Sequence, residues 1–371
     1  MTRTVEEQIS YLKSRKLTVL DKVYRIKIEA SLGCNRDCEF CGMTRKRSYL
    51  LKPELFTIIL NKMPDTIRRV EFILHGEPTL NPNLVDYIEA IRDKHPDAQI
   101  AVCSNGFRFL SKMYNPDYLF SLYDKGLNLL QLDLYDIEDW ESFKKLMGES
   151  KSGREERGIK VKDLYAQNTA LFFSYRGDKN RELVYVKEFE GLNSGECKQR
   201  RFHTFGGNVP VELWSKYSDK YPDFSKFPLT GKGKTCTSLL KYVSIGANGD
   251  LYFCCRDASH TLLLGNIKDI DLQEWWVSED VQKVRRITKW ARRDLLAQCF
   301  LCSRFNYRDG LYPYWGKTYN LEECVQTSIE KTILLDDVLL HNLIKYQEIY
   351  PDKIPNHIVK QIEDSKKKYN I

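Results

Sequence analysis

The sequence predicts an α/β fold: a parallel sheet, closed or partly closed as a barrel, followed by a smaller α+β unit and a helical tail. Two features of the 371 residues carry this expectation. From residue 22 on, apolar β-type runs alternate with amphipathic segments, the order that a parallel sheet with outer helices requires. The alternation then stops at 206–235, where Gly206-Gly207, three prolines and Gly231-Lys232-Gly233-Lys234 mark a boundary.

The candidate strands are 22–31, 69–75, 98–103, 127–134, 169–175 and about 201–205. Between the second and third, Leu84, Ile88 and Ile91 recur at helical spacing after Asn81-Pro82, the mark of one buried helix face. Residues 148–162 are charged and glycine-containing and read as a loop or insertion. The last fifty residues are helical in pattern and end in lysines. In a barrel of this kind, functional residues gather at the C-terminal ends of the strands.

Composition narrows the class. Hydrophobic residues at 42% and charged residues at 29% fit a folded chain and exclude a disordered one. The net charge of +7 is spread along the chain, so a nucleic-acid partner is possible but not indicated. No apolar run is long enough for a membrane span, and the N-terminus has no signal-peptide core. The expected setting is therefore the cytoplasm. Its thiols stay reduced there, so clustered members of the eleven cysteines read as metal ligands before disulfides.

Directly after the first strand comes Cys34-Asn-Arg-Asp-Cys38-Glu-Phe-Cys41, a C-x3-C-x2-C loop. Three thiolates on one short loop can grip one face of a metal cluster. A [4Fe–4S] cube ordinarily takes four cysteines, so three leave one iron open, and an open position marks catalysis. A zinc site completed by a distant residue is the alternative, although zinc favours C-x2-C pairs. A second set, Cys236, Cys254 (or Cys255), Cys299 and Cys302, has the spacing C-x17-C-x44-C-x2-C. Four thiolates from separated pieces make a closed set, for a cluster or for zinc. Asn248-Gly249 signals a hairpin turn just before Cys254, and Cys299 and Cys302 are expected on a loop after a long helix. His75, His203 and His260 occur singly and read as structural, and Cys103, Cys197 and Cys324 as ordinary thiols.

The first loop resembles the signature of the radical S-adenosylmethionine (SAM) superfamily, which places this spacing after the first barrel strand with an aromatic residue before the third cysteine; Phe40 fills that place. The resemblance implies a partial (βα)6 TIM-like barrel. It also implies a cluster on Cys34, Cys38 and Cys41 whose open iron binds SAM, and reductive cleavage of SAM to a 5′-deoxyadenosyl radical that takes a hydrogen atom from substrate. Gly76-Glu77-Pro78 matches the family's GEP element, which holds the SAM amino group. Ser104-Asn105-Gly106 resembles its T/S-N-G turn, and Asp133 falls where the family places ribose-contacting groups. Arg176 could pair with the methionine carboxylate, and Gly206-Gly207-Asn208 resembles the last SAM-contacting turn.

The second set is similar to the auxiliary-cluster domain of the SPASM/twitch subclass, with Gly249 five residues before Cys254, then Gly265-Asn266-Ile267, Trp275-Trp276 and the closing C-x2-C. Only Cys324 follows Cys302, which suits the shorter, single-cluster form. The expected division is 1–215 for the barrel, 216–310 for the auxiliary iron–sulfur domain and 311–371 for a helical extension. The resemblance, which covers about residues 20–305, implies net oxidation or modification of a peptide or small molecule, with an electron donor such as a flavodoxin or ferredoxin. Modification of a nucleoside or RNA, and a non-enzymatic cluster or zinc protein, are the alternatives.

Overall fold

Parallel strands carry apolar side chains toward covering helices on alternate positions, and the first four strands here do so. The computed structural model describes residues 22–38, 41–42, 49–110, 116–163, 181–187, 208–217, 236, 242–252, 254–258, 260–289, 292–303 and 320–370. Strands β1 (Arg25–Ile28), β2 (Arg69–Phe72), β3 (Gln99–Ser104), β4 (Leu129–Leu134), β5 (Ile159–Asp163) and β6 (Arg181–Lys187) pair in parallel. Strand β7 (Val243–Ile245) joins the free side of β1, also in parallel, and β8 (Asp250–Tyr252) and β9 (Leu263–Asn266) follow antiparallel. The full order is β5-β6-β4-β3-β2-β1-β7-β8-β9. This is the expected α/β partial barrel, with a mixed sheet and a helical C-terminus.

One face of the sheet is apolar. Ile26, Ile28, Val70, Phe72, Ile100, Val102, Leu130 and Leu132 pack in one core with helices α1 (Pro53–Lys62), α2 (Leu84–Lys94), α4 (Pro116–Asp124) and α5 (Ile137–Glu149); the one-turn helix α3 (Phe107–Leu110) precedes α4. Each such side chain contributes about 1.5–3 kcal/mol on burial. The same core continues through Ile245, Leu251, Leu264, Ile267 and Trp276, so β7–β9 and helix α8 (Leu272–Val277) share it with the barrel. Lys62, ending α1, clasps the two parts by donating to the carbonyls of Ile267, Lys268 and Ile270 at 2.7–2.9 Å.

The opposite, lumen-side face is polar. Arg25, Lys27 and Glu29 on and after β1, and Arg69 and Glu71 on β2, occupy the alternate positions, in register Arg25–Arg69 and Lys27–Glu71. Glu71 is fully buried; Arg25 and Arg69 each meet its carboxylate at 2.6 Å, and Lys27 lies 3.8 Å away. A small apolar patch of Ala101, Leu129 and Val184 completes this side.

The reading of 148–162 as a loop is corrected. Lys151–Glu156 is helix α6, and Ile159–Asp163 is β5, held by pairing with β6. Only Ile159 and Val161 are apolar in β5; their alternation with Lys160 and Lys162 is weak, and the partner strand supplies the order that composition hides. The expected strands at 169–175 and 201–205 lie outside the described residues.

The C-terminal helices α11 (Leu321–Glu330), α12 (Asp337–Ile349) and α13 (Asn356–Tyr369) are as expected for the tail. Helix α12 receives the segment 208–217, which holds the one-turn helix α7 (Trp214–Tyr217): Asn342 accepts from the Val211 amide at 3.1 Å and donates to the Val209 carbonyl at 2.9 Å, and Trp214 is buried in one cluster with Leu339 and Leu343. No helix among the described residues is long and apolar enough to cross a membrane.

Candidate functional site

The loop after β1 turns sharply because Ser31 folds back on itself, its hydroxyl bridging the Gly33 carbonyl and amide at 3.0 and 3.1 Å. The chain then delivers Cys34, Cys38 and Cys41, with the Cys41 amide closing a turn on the Cys38 carbonyl at 2.9 Å. Arg36, between the first two cysteines, straps the loop to the start of α5: it pairs with Asp136 at 2.9 Å and with Asp139, and stacks over Tyr135.

Two strand-end turns support this loop. Gly76 lies where a Cβ would fall 1.8 Å from the Ser31 carbonyl oxygen and 2.7 Å from that of Gly33, so only glycine permits the approach. The next amide, of Glu77, donates to the Gly33 carbonyl at 2.9 Å. The buried Glu77 carboxylate accepts from the Thr79 amide and hydroxyl at 2.9 and 2.6 Å, from the Ser104 hydroxyl at 2.7 Å and from the Asn105 amide at 2.7 Å. It thus joins the ends of β2 and β3. Pro78 starts a short 3-10 turn, Pro78–Leu80. The Asn105 side chain in turn donates to Asn35 at 3.0 Å and approaches the Cys34 sulfur at 3.6 Å, while the Arg36 amide lies 3.4 Å from that sulfur. Burial pushes the Cys34 thiol up; the Arg36 and Asn105 groups oppose this, and Glu77 and Cys41 add to it. Three thiols on one loop, with amides aimed at a sulfur, suit an iron–sulfur cluster, whose properties depend on such hydrogen bonds.

Asp133, near the end of β4, is buried and accepts from Gln131 at 2.6 Å, with the Cys103 sulfur 3.5 Å away. Gly76, Glu77 and Asn105 therefore meet the cysteine loop, Ser104 is tied to it through Glu77, and Asp133 lies on the lumen side of the neighbouring strand. Phe40, Arg176, Gly206 and Gly207 lie outside the described residues.

The second cysteine set also converges. The hairpin turn between β7 and β8 forms at Ala247–Asp250, where Gly249 has φ +92° and a Cβ would meet Asn266 at 2.9 Å. Cys254 follows β8. Cys299 stands in a one-turn helix, α10 (Ala297–Phe300), reached from helix α9 (Glu279–Lys289) through a 3-10 turn, rather than on a loop; its amide bonds to Leu296 and so continues the turn. Cys302 follows, its amide on the Cys299 carbonyl at 3.2 Å. A hydrogen bond with Cys255, then burial, then neighbouring Cys236 and Cys299 push the Cys254 thiol up. Its neighbour has further partners: the Cys255 sulfur is 2.8 Å from the Tyr242 hydroxyl and 3.5 Å from Lys27. The bond with Cys254 lowers the Cys255 thiol against burial, and Lys27, Arg256 and Tyr242 lower it further.

Arg293 is the charged residue that the sequence did not single out. It is buried, and its guanidinium donates to the Cys302 carbonyl at 3.2 Å. Burial opposes its charge, but Cys302, Cys299 and Cys236 around it outweigh burial and push its pKa up. No spacing rule marks it, since only the folded turn places it among the thiols. His75 and His260 occur singly in the sequence, yet His75 Nδ1 lies 3.1 Å from His260 Nε2 across 185 residues.

Comparison with known proteins places both cysteine sets within matched families. Residues 28–162 match the radical SAM superfamily, and residues 236–303 match SPASM, an iron–sulfur cluster-binding domain. The chain is 24% identical over 197 residues to the GTP 3′,8-cyclase of Campylobacter curvus (strain 525.92), covering 48% of this chain and 57% of that protein. It is 31% identical over 136 residues to the GTP 3′,8-cyclase of Trichodesmium erythraeum (strain IMS101), covering 35% and 39%. The match thus spans less than two thirds of either relative. A crystal structure of BtrN in complex with AdoMet and 2-DOIA is similar in fold, with a TM-score of 0.50 at 17% identity, covering 79% of this chain and 98% of that one.

Proposed function

Because the chain belongs to the radical SAM superfamily and carries a SPASM iron–sulfur domain, we propose that Cys34, Cys38 and Cys41 hold the SAM-binding [4Fe–4S] cluster of this radical SAM enzyme. When bound, cluster and SAM together supply a 5′-deoxyadenosyl radical that takes a hydrogen atom from the substrate. The observation that carries the assignment is the meeting of the three-thiol loop with the Gly76–Glu77 and Ser104–Asn105 turns at one end of the sheet. Gly76-Glu77-Pro78 would then hold the SAM amino group, Phe40, Ser104 and Asn105 would belong to the same SAM-binding set, and Asp133 and Arg176 would be the polar partners for ribose and carboxylate.

Cys236, Cys254, Cys299 and Cys302 hold one auxiliary [4Fe–4S] cluster, with Arg293 as its buried counter-charge. Four thiolates would leave no iron open, so this cluster would serve electron transfer rather than SAM binding, in a net oxidation or modification of a peptide or small molecule. Similarity to the structure of BtrN with 2-DOIA supports the small molecule. The GTP 3′,8-cyclase relatives support a second reading, a nucleotide substrate. The barrel would span 1–215, the auxiliary domain 216–310 and the helical extension 311–371, with a flavodoxin or ferredoxin as donor and the reducing cytoplasm as setting.

The test is anaerobic reconstitution with iron and sulfide, a strong reductant and SAM. About eight irons per chain and formation of 5′-deoxyadenosine are expected. Replacing Cys34, Cys38 and Cys41 with alanine should abolish that product and leave about four irons. Unchanged product in this variant would defeat the assignment. Anaerobic incubation with candidate small molecules and with GTP then separates the two substrate readings.

A further inference from the structure

Glu29, His75 and His260 converge just beyond the C-terminal ends of β1 and β2. His75 Nδ1 lies 3.1 Å from His260 Nε2 and 3.6 Å from Glu29 Oε1, and His260 Nε2 lies 4.0 Å from the same oxygen. Glu29 and His75 are buried. The other carboxylate oxygen, Oε2, accepts weakly from the Ala247 amide at 3.4 Å, but Oε1 has no hydrogen-bond partner among the described residues. A buried carboxylate oxygen left bare costs free energy unless a cation or donor meets it.

The tautomer of His75 follows from its second ring nitrogen. Nε2 faces the Cys255 carbonyl oxygen at 3.2 Å, and a carbonyl only accepts, so Nε2 carries the proton. Nδ1 then presents its lone pair toward His260 and Glu29. A ring N–H donated to a backbone carbonyl is how proteins commonly orient a metal-binding imidazole. His260 is held by stacking on Tyr252, centroids 3.6 Å apart, and its backbone has φ +55°.

We propose that Glu29 Oε1, His75 Nδ1 and His260 Nε2 bind one divalent transition-metal ion at a site distinct from both cysteine sets. The triangle they form has edges of 3.1, 3.6 and 4.0 Å. The point equidistant from its corners is about 2.1 Å from each, the length of a zinc–imidazole or zinc–carboxylate bond. Two imidazoles and one carboxylate suit zinc, and three protein ligands leave a coordination position open. An ordinary hydrogen bond from His260 to His75 would satisfy both rings but leave Oε1 bare; the ion satisfies all three groups. The site lies between the two cysteine sets, since His75 adjoins Gly76 and His260 follows the Cys254–Asp257 turn.

The test uses the anaerobic full chain loaded with iron and sulfide, with zinc as the probe. One zinc per chain should survive gel filtration, and X-ray absorption at the zinc edge should show a nitrogen and oxygen shell at about 2.0–2.1 Å. His260→Ala should lose that zinc, and Glu29→Gln should weaken its binding at least tenfold, with iron and sulfide unchanged. Should His260→Ala disturb folding, the closer-sized His260→Gln, checked by its iron count, replaces it. No retained zinc, a sulfur shell near about 2.3 Å, or retention equal to wild type in both variants would overturn the site. Failure of SAM cleavage would leave this measurement standing, because it reads no activity.

Discussion

Gly76 stands against Ser31 so closely that a Cβ at Gly76 would lie 1.8 Å from the Ser31 carbonyl oxygen. The end of β2 and the loop carrying the first cysteines are therefore in backbone contact. Gly76→Ala must push them apart. It is expected to destabilise the chain by on the order of 2–4 kcal/mol and to lower iron bound at the first site more than at the second. Urea unfolding and iron counts of the purified variant check both.

Glu71 predicts an acid limb. Burial raises its carboxyl, but Arg25, Arg69 and Lys27 outweigh burial and hold it at about 2 against an ordinary value of 4.5. A folded pKa below the unfolded one gives stability that is full above about pH 4.5 and is lost as pH falls toward 2. Glu71→Gln leaves the buried Lys27 and Arg69 and the half-buried Arg25 short of a counter-charge and should cost about 3 kcal/mol at neutral pH. Its stability should then fall less steeply over the acid range than wild type, as denaturant midpoints at a series of pH values will show.

Adjacent cysteines should behave differently. Cys254 neighbours Cys236 and Cys299, whereas the Cys255 sulfur meets Tyr242 and Lys27. Cys254→Ala should lose about four irons per chain, and Cys255→Ala should keep them. Iron and sulfide analysis distinguishes the two, and equal losses would put both sulfurs in the ligand set.

The guanidinium of Arg293, lodged among Cys236, Cys299 and Cys302, favours the more negative, reduced state of whatever those thiolates bind. Arg293→Met should lower the auxiliary reduction potential by on the order of 50 mV. Redox titration followed by EPR reads this directly. Arg293→Lys should restore part of the shift.

Much of this was legible in the chain itself. The strands β1 to β4 show as apolar runs because their helix-facing positions, such as Ile26, Val70, Ile100 and Leu130, are filled by β-branched or long aliphatic side chains. Both cysteine sets show because ligand spacing is local. Strand β5 stayed hidden: Ile159 and Val161 sit among lysines, and the order comes from β6. The helical turn under Cys299 was also missed, since four residues carry too little pattern to call a helix. Arg293, and the approach of His260 to His75 and Glu29, depend on contacts between residues far apart in sequence, which no local pattern encodes. The polar lumen pairing of Lys27 and Arg69 with Glu71 is hidden for the same reason.

The most direct measurement is EPR of the fully loaded chain after one-electron reduction, recorded without and with SAM. If three thiolates leave an iron open, SAM will alter the signal of one cluster, and that SAM-sensitive signal will be missing in Cys34→Ala while the second cluster's signal remains. A wild-type spectrum indifferent to SAM, with no cleavage product, would contradict the account.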